Sequence, residues 1–312
     1  MKKVLMLAVF AAAAFSQAAD SPEVLFATNV ISGSINRFDP ITGASFGSFG
    51  GGILTSPMGI AVDGFAKVYV SDIVGSFSVI RVFNGFTGNY LGQLGASRTD
   101  IIGGLTIGPD GYLYGSTTPN SFGAAGGLIK VDRNTGVTNY LAIAGSVNPT
   151  DVAYGVSSIY VNAVNKSYQI NPGSFTVTNS FATLVDTTFL HFDQNRAGWM
   201  QGGRGPQWGV GVARPSIYDS IGGAIALSGG VSVSDMANGH TLMYAGIRTG
   251  AGNSLIQRYD PTNKLFIGTF GAQTGDAYGA LACYNAPEPG SFIALGAGAA
   301  VLAIRRRRRA TN

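Results

Sequence analysis

A hairpin sequence motif that recurs about every 40 to 50 residues is the feature that most constrains the fold of this 312-residue chain. Each copy is an apolar strand ending in Asp or Asn, followed by a turn that contains Gly or Pro. The copies begin at Phe38, Phe83, Val131, Ile170, Tyr218 and Tyr259. In such turns the Asp or Asn side chain caps the backbone and Gly takes the left-handed conformation. These Asp and Asn residues are therefore predicted to form turns first.

The repetition predicts a β-propeller. Self-similarity at this period indicates a solenoid or a propeller. The propeller is favoured because each unit has four short strands, aromatic and Gly residues recur in each unit, and the sequence has no helical periodicity. Six units can be counted, at residues 24–50, 56–95, 102–145, 148–185, 187–229 and 231–271.

The first unit lacks its first strand, and the apolar segment 277–283 can supply it. Pairing the two ends of the chain in this way would remove an open sheet edge. We therefore predict an all-β, six-bladed β-propeller over residues 20–285, closed by its N- and C-terminal strands. The phrases at residues 59–63 and 108–114 resemble NHL-type propellers. That resemblance implies the fold more than a function.

The N-terminus is typical of a secretory signal peptide. Lys2 and Lys3 precede the apolar stretch 4–15, and Ser16-Gln17-Ala18 forms a small-x-small cleavage site. We expect a signal peptide at residues 1–19, with cleavage after Ala19 or, as the alternative, after Ala18.

The C-terminus has three parts in a fixed order: the motif Pro287-Glu288-Pro289, an apolar span at 290–304, and a run of arginines. The arginines are Arg305, Arg306, Arg307, Arg308 and Arg309. The 15-residue span is shorter than the ~17–25 residues of a usual transmembrane helix, and arginines prefer the cytoplasmic side. We expect a short, transient membrane helix within a sorting segment 286–312, with the body outside.

Residues 287–309 resemble the PEP-CTERM sorting signal of exported Gram-negative proteins. The resemblance implies recognition of Pro287, Glu288 and Pro289 by an exosortase-type membrane protease. It also implies transient insertion in the inner membrane, then transfer to the cell surface or extracellular matrix. The expected surroundings are a biofilm matrix rich in exopolysaccharide. The alternative is a permanently tethered periplasmic propeller whose sorting segment is never removed.

The charge of the body excludes a nucleic-acid partner. The whole chain carries a net charge of +4 and has a pI of about 9.2. Without Lys2, Lys3, the five terminal arginines and Glu288, the 20 basic and 16 acidic residues fall to 13 and 15, a net charge of −2. The basic balance therefore belongs to the sorting segments, and the body has no excess of positive charge for phosphate groups.

The residues of the body favour a protein that is not an enzyme and has no cofactor. The two histidines, His191 and His240, lie in different units, so no zinc ligand set forms. Calcium-dependent propeller lactonases use a Glu at the central channel, whereas the only Glu of this body is Glu23, ahead of the first strand. A propeller hydrolase, lactonase or lyase stays the enzymatic alternative. Oxygen ligands for a hard cation would come from Asp63, Asp110 or Asp151, but none has calcium-loop spacing.

Unit five holds the best candidate for a ligand patch, because it concentrates cationic and aromatic side chains that can stack on a sugar ring or bind an anionic polymer. The patch consists of His191, Arg196, Trp199, Arg204, Trp208 and Arg214. The structural alternative is a tryptophan in the blade core beside a surface turn. Cys283, the single cysteine, is predicted to be a small buried core residue.

Overall fold

The computed structural model describes residues 23–118, 126–143, 149, 151–155, 157–163, 166–182, 190–192, 198–201, 216–219, 224–226, 231–238, 242–249, 253–260, 265–274 and 278–284. Val24–Tyr284 form one compact unit. The predicted signal peptide and the predicted C-terminal span lie outside the described residues. Within the described ranges, no helix is long and apolar enough to cross a membrane.

Six four-stranded antiparallel sheets make up the described backbone. In the first three blades the strands are β1 (Val24–Asn29), β2 (Ser34–Phe38), β3 (Ser45–Phe49), β4 (Pro57–Val62), β5 (Lys67–Val74), β6 (Phe77–Asn84), β7 (Tyr90–Arg98), β8 (Ile101–Ile107), β9 (Leu113–Thr118), β10 (Gly127–Val131) and β11 (Thr138–Ala142).

The remaining strands are β12 (Asp151–Gly155), β13 (Ser158–Ala163), β14 (Lys166–Asn171), β15 (Thr176–Ala182), β16 (Leu190–Phe192), β17 (Gly198–Gln201), β18 (Ser216–Asp219), β19 (Ala224–Ala226), β20 (Val231–Asn238), β21 (Met243–Thr249), β22 (Asn253–Tyr259), β23 (Phe266–Thr274) and β24 (Tyr278–Tyr284). Consecutive strands are neighbours within each sheet, except that β24 joins the first.

The first strands of the six sheets surround a common centre. They lie side by side in the order β24, β4, β8, β12, β16 and β20, and β20 lies beside β24 again. This closed cycle defines a six-bladed β-propeller. The six predicted units each contain one sheet, so the predicted fold is confirmed.

The predicted closure by the two chain ends is confirmed as well. Strand β24 pairs antiparallel with β1, with Val24 opposite Tyr284 and Leu25 opposite Cys283. Leu25 and Phe26 are fully buried under this pairing. Cys283, predicted to be buried, is half-buried and packs beside the core cluster between the first and sixth blades. The prediction of a fully buried core residue is therefore wrong. The closing strand is the inner strand of its sheet, so Cys283 lies next to the centre of the ring.

The turns between third and fourth strands are capped as predicted. The carboxylate of Asp39 accepts hydrogen bonds from the backbone N–H groups of Ile41 and Thr42, both at 2.8 Å. Asn84, Asp132 and Asn171 cap the corresponding turns in the next three blades in the same way.

The left-handed position of these turns is the fourth residue after the cap. Gly43, Gly88 and Gly136 occupy it with φ of 74° to 76°. In blade four the prediction placed this role within Ile170–Gly173, but Phe175 holds the position with φ of 52°. The phenyl ring packs against Tyr114 of blade three, at 6.3 Å between ring centroids. This contact offsets the cost of a left-handed non-glycine residue.

The three turns with glycine in this position rest on the fourth strand of the preceding blade. A Cβ atom on Gly43 would lie 2.6 Å from the side chain of Phe270, and one on Gly88 would lie 2.7 Å from Phe49. Only glycine permits both the left-handed backbone and this close approach.

A buried hydroxyl on the second strand ties neighbouring blades together. Ser71 Oγ accepts a hydrogen bond from the N–H of Gly59 in its own blade, at 2.7 Å. It donates to the carbonyl oxygen of Gly103 in the next blade, at 2.9 Å. Thr28 makes the corresponding pair of bonds, to Ala280 N and Met58 O. The inner strands are therefore linked near the centre as well as packed.

The two faces of the ring differ in what they carry. Strands one and three end on the face where β24 ends and β1 begins, and that face bears the turns between strands one and two and between strands three and four. We call it the exit face, because the chain leaves Tyr284 there. The turns between strands two and three lie on the opposite face.

Candidate functional site

The first candidate cation ligand, Asp63, lies at the end of β4 on the exit face. One carboxylate oxygen caps the turn by accepting from the N–H groups of Phe65 and Lys67, both at 2.9 Å. The other accepts from Tyr69 OH at 3.2 Å and from the guanidinium of Arg133, in the next blade, at 2.8 Å. Burial, and then the charge of Asp63, raise the pKa of Tyr69. Asp63 is thus a turn cap and one half of an ion pair between blades.

Asp110 lies in the corresponding turn of the next blade, but its cation belongs to the same blade. Its carboxylate accepts from Lys130 Nζ and from Tyr114 OH, both at 2.7 Å. Lys130 Nζ also donates to the carbonyl oxygen of Pro172 in blade four, at 2.7 Å, and lies 4.4 Å from the centroid of the Tyr112 ring. Burial raises the pKa of Asp110, but the hydrogen bonds from Lys130 and Tyr114 outweigh it and lower that pKa below its usual value.

The third candidate, Asp151, opens the inner strand β12. Its Oδ1 accepts from the backbone N–H of Val152 at 2.8 Å and lies against Gly104 of β8. No group of His, Cys, Asp or Glu side chains suited to a metal ion occurs in the part of the chain that the structure describes. Asp63 and Asp110 neutralise protein cations, and Asp63, Asp110 and Asp151 do not converge on one point.

Two further cations join blades by reaching the turn of the next blade. Arg37, near the end of β2, donates to the carbonyl oxygen of Phe86 at 2.5 Å. Arg258, near the end of β22, donates to the carbonyl oxygen of Ile41 across the closure of the ring. Arg37, Lys130 and Arg258 occupy the same place in their blades, one residue before the last residue of the third strand. Among the described residues, cations of the exit face therefore bridge four of the six blade boundaries.

The Asp110 carboxylate gives a pH-dependent test of this bonding. Since the pKa of Asp110 is lowered on folding, its contribution to stability is present above the unfolded pKa of ~3.9 and is lost as the pH falls through the folded pKa. We expect Asp110→Asn to lower the free energy of unfolding by about 1–2 kcal/mol at pH 7. Urea unfolding followed by circular dichroism should show the deficit closing below about pH 4.

Asp132→Asn is the matched control for that variant. Asp132 is an exposed turn cap, and asparagine serves as the cap in two other blades, at Asn84 and Asn171. We expect it to leave stability at pH 7 nearly unchanged. Equal stability of Asp110→Asn and the parent at pH 7 would contradict a structural role for the pair with Lys130.

Of the ligand patch of blade five, the described backbone includes two members. His191 lies on β16 and Trp199 on β17, and they are directly opposite each other in the register of the sheet. The other four members, Arg196, Arg204, Trp208 and Arg214, lie outside the described residues, as does His240. The pairing of His191 with Trp199 is the part of the patch that the sheet brings together.

The sorting motif also lies outside the described residues. Its sequence begins three residues after Tyr284, the last residue of the closing strand. No folded element of the described unit therefore separates the propeller from Pro287.

Fold and terminal motif together define a class of protein, a six-bladed β-propeller that carries its own C-terminal sorting signal. The family model described as the PEP-CTERM protein-sorting motif matches residues 285–308. These residues include Pro287, Glu288, Pro289 and four of the five arginines. The motif supports an exported protein that an exosortase sorts. A search of curated protein sequences found no match.

Solved structures with a similar fold cover most of the chain. A protein of unknown function from Bacteroides caccae has a TM-score of 0.62 at 11% identity, over 84% of this chain and 99% of its own. A chain of the nidogen/laminin complex has a TM-score of 0.64 at 15% identity, over 84% and 98%. A chain of hydrazine synthase from Kuenenia stuttgartiensis has a TM-score of 0.56 at 13% identity, over 83% and 88%. At these identities the likeness shows the propeller fold alone.

Proposed function

We propose that the chain is an exported propeller that an exosortase-type protease delivers to the cell surface or extracellular matrix of a Gram-negative bacterium. There its body acts as a non-enzymatic binding or structural module associated with exopolysaccharide. The observation that carries the proposal is the PEP-CTERM motif at residues 285–308, which comes directly after a ring closed by its last strand.

The position of the motif suits removal of the terminal segment. Every described contact of β24 with β1 lies upstream of Pro287, and the pairing ends at Tyr284. Cleavage at or after residue 286 would therefore leave the closing strand whole. A signal peptide at residues 1–19, the motif Pro287-Glu288-Pro289 for recognition, the span 290–304 for insertion and Arg305–Arg309 for orientation complete the proposed route.

The proposal of a non-enzymatic body rests on how the acidic groups are used. Two of the three candidate cation ligands, Asp63 and Asp110, bond Arg133 and Lys130 at blade boundaries. Two of the candidate ligands for a hard cation therefore already have structural partners. A ligand would instead meet the blade-five patch, where Trp199, Trp208 and the three arginines supply stacking surfaces and positive charge.

The C-terminal mass of the protein isolated from its own host tests this function. Surface, matrix and inner-membrane fractions are separated, and the terminal peptide is mapped by mass spectrometry in each. We expect chains ending near residues 286–290, without the arginines, in the surface or exopolysaccharide fraction. Glu288→Ala should retain the full terminus in the membrane, whereas Glu23→Ala, which changes the other Glu of the exported chain, should be processed normally.

Either of two results would contradict the proposal. An intact Asn312 on membrane-bound parent protein would replace it with a permanently tethered periplasmic propeller. A processed chain found free of surface and matrix material would remove the association with exopolysaccharide.

A further inference from the structure

The exit face carries exposed apolar side chains at the tips of its turns. Phe65, between β4 and β5, is 86% exposed, and Ile41 is 64% exposed. Further exposed apolar side chains at the turns of this face are Phe86, Val137, Leu265 and Phe266. In the described part of the opposite face, the exposed large apolar side chains are Ile31, Met58, Phe77 and Ile101. The turns of the described exit face therefore carry more large apolar side chains, and more fully exposed ones, than the described part of the opposite face.

The charges around these side chains nearly cancel. Arg37 and Arg133 bond carbonyl oxygens or Asp63 at the boundaries of the blades, while Asp39 and Asp132 cap the turns. An anionic polymer would therefore find little net positive charge on this face. Its partner must be one that takes up apolar side chains.

The chain itself brings a lipid surface to this face. Six residue steps separate Tyr284 from the start of the apolar span at Gly290, and they reach at most about 20 Å when fully extended. Strand β24, with seven residues, covers about 23 Å between the two faces of the ring. A fully extended tether of this length is therefore too short to pass from the exit face to the opposite face of the ring.

We propose that the exit face docks on the bilayer while the span is inserted, with Phe65, Ile41 and Phe86 entering the headgroup region. The inference rests on the membrane anchor of the proposed function. Aromatic side chains favour this depth, since it accepts an apolar body beside polar groups. Docking would hold the motif at 287–289 close to the membrane surface, where a membrane protease acts. Removal of the span would take away the membrane anchor and so allow the docked body to leave the bilayer.

A nitroxide label at position 65 tests this directly. The full chain, as Cys283→Ser with Phe65→Cys, is reconstituted into vesicles of phosphatidylethanolamine and phosphatidylglycerol. Electron paramagnetic resonance then compares the accessibility of the label to oxygen, which partitions into lipid, and to a water-soluble nickel complex. We expect the oxygen-to-nickel ratio to be several-fold higher at position 65 than at position 31, and nearly independent of salt. Val137→Cys, on another turn of the exit face, should behave like position 65.

Ile31→Cys is the matched control on the opposite face. Ile31 is 63% exposed, and its N–H is capped by Asn29 as that of Phe65 is capped by Asp63. Suppose that the labels at 65 and 137 are as accessible to the nickel complex as the label at 31, while the chain resists carbonate extraction. That result would overturn the docking of the exit face but leave the membrane anchor standing. Labels shielded from both reagents would indicate a second copy of the chain on this face, and would overturn lipid as the occupant. Extraction of the chain by carbonate would overturn the membrane anchor of the proposed function and this inference with it.

Discussion

Gly59→Ala is expected to destabilise the propeller by about 3 kcal/mol or more, because the inner strands leave no room for a methyl group there. A Cβ atom at this position would overlap the carbonyl oxygen of Gly103 and lie 3.0 Å from the Cα of Gly104. Both neighbours are backbone atoms of β8, so no side-chain rotation relieves the overlap. Moving β8 away would also break the bond from Ser71 Oγ to Gly103 O.

Gly64→Ala, five residues further along, is the control for that variant. Nothing lies within 4 Å of a Cβ atom on Gly64, and its φ is not in the left-handed region. We expect it to be neutral or to stabilise by a few tenths of a kcal/mol, through the reduced freedom of the unfolded chain. Chemical unfolding followed by circular dichroism measures both variants. Similar unfolding midpoints for Gly59→Ala and Gly64→Ala would contradict the prediction, because β4 and β8 would then separate without loss of stability.

The fold was accessible from the sequence because its signals are local and repeated. The caps Asp39, Asn84 and Asp132 and the glycines after them mark one hairpin in each blade, whatever surrounds it. The missing first strand of blade one could be placed at 277–283 since every other unit contained one, and β24 occupies 278–284.

The features that could not be predicted depend on contacts between blades. Nothing near Phe175 in the sequence indicates that a phenylalanine takes the left-handed position, because the ring that accepts it, Tyr114, belongs to another blade. The hydroxyl of Ser71 resembles that of any strand serine until the inner strands of two blades are brought together. Likewise, the sequence does not show that the carboxylate of Asp63 is neutralised by Arg133, because that arginine belongs to the next blade.

For the candidate site, the sequence identified residue types rather than their arrangement. The terminal motif was recognisable as a linear signal, since its order of motif, span and arginines needs no fold. The patch of blade five is spread over 24 residues, and its arrangement depends on strand register. The register shows that His191 and Trp199 are opposite each other, which their spacing alone does not specify.

Removal of the closing strand is expected to have the largest effect of all, loss of the folded propeller. A chain that ends at residue 277 lacks β24 and exposes β1, in which Leu25, Phe26 and Ala27 are fully buried. It also loses the bonds of Thr28 with Ala280 and the packing of Tyr278 in the core cluster between the first and sixth blades. An uncovered apolar edge strand pairs readily with other chains, so we expect aggregation as well as loss of the cooperative thermal transition.

A chain that ends at residue 285 is the matched control, since it keeps β24 and lacks the sorting motif from Pro287 onward. We expect it to be monomeric on size-exclusion chromatography, with a strand-type circular dichroism spectrum and one cooperative transition. Comparison of the chains that end at residues 277 and 285 would then separate folding from sorting. Closure of the ring would require β24, and only the segment after β24 could be removed without unfolding. A cooperative transition in the shorter chain would show that five complete blades and a three-stranded remainder suffice, and that the strand next to the sorting motif has no essential part in closing the ring.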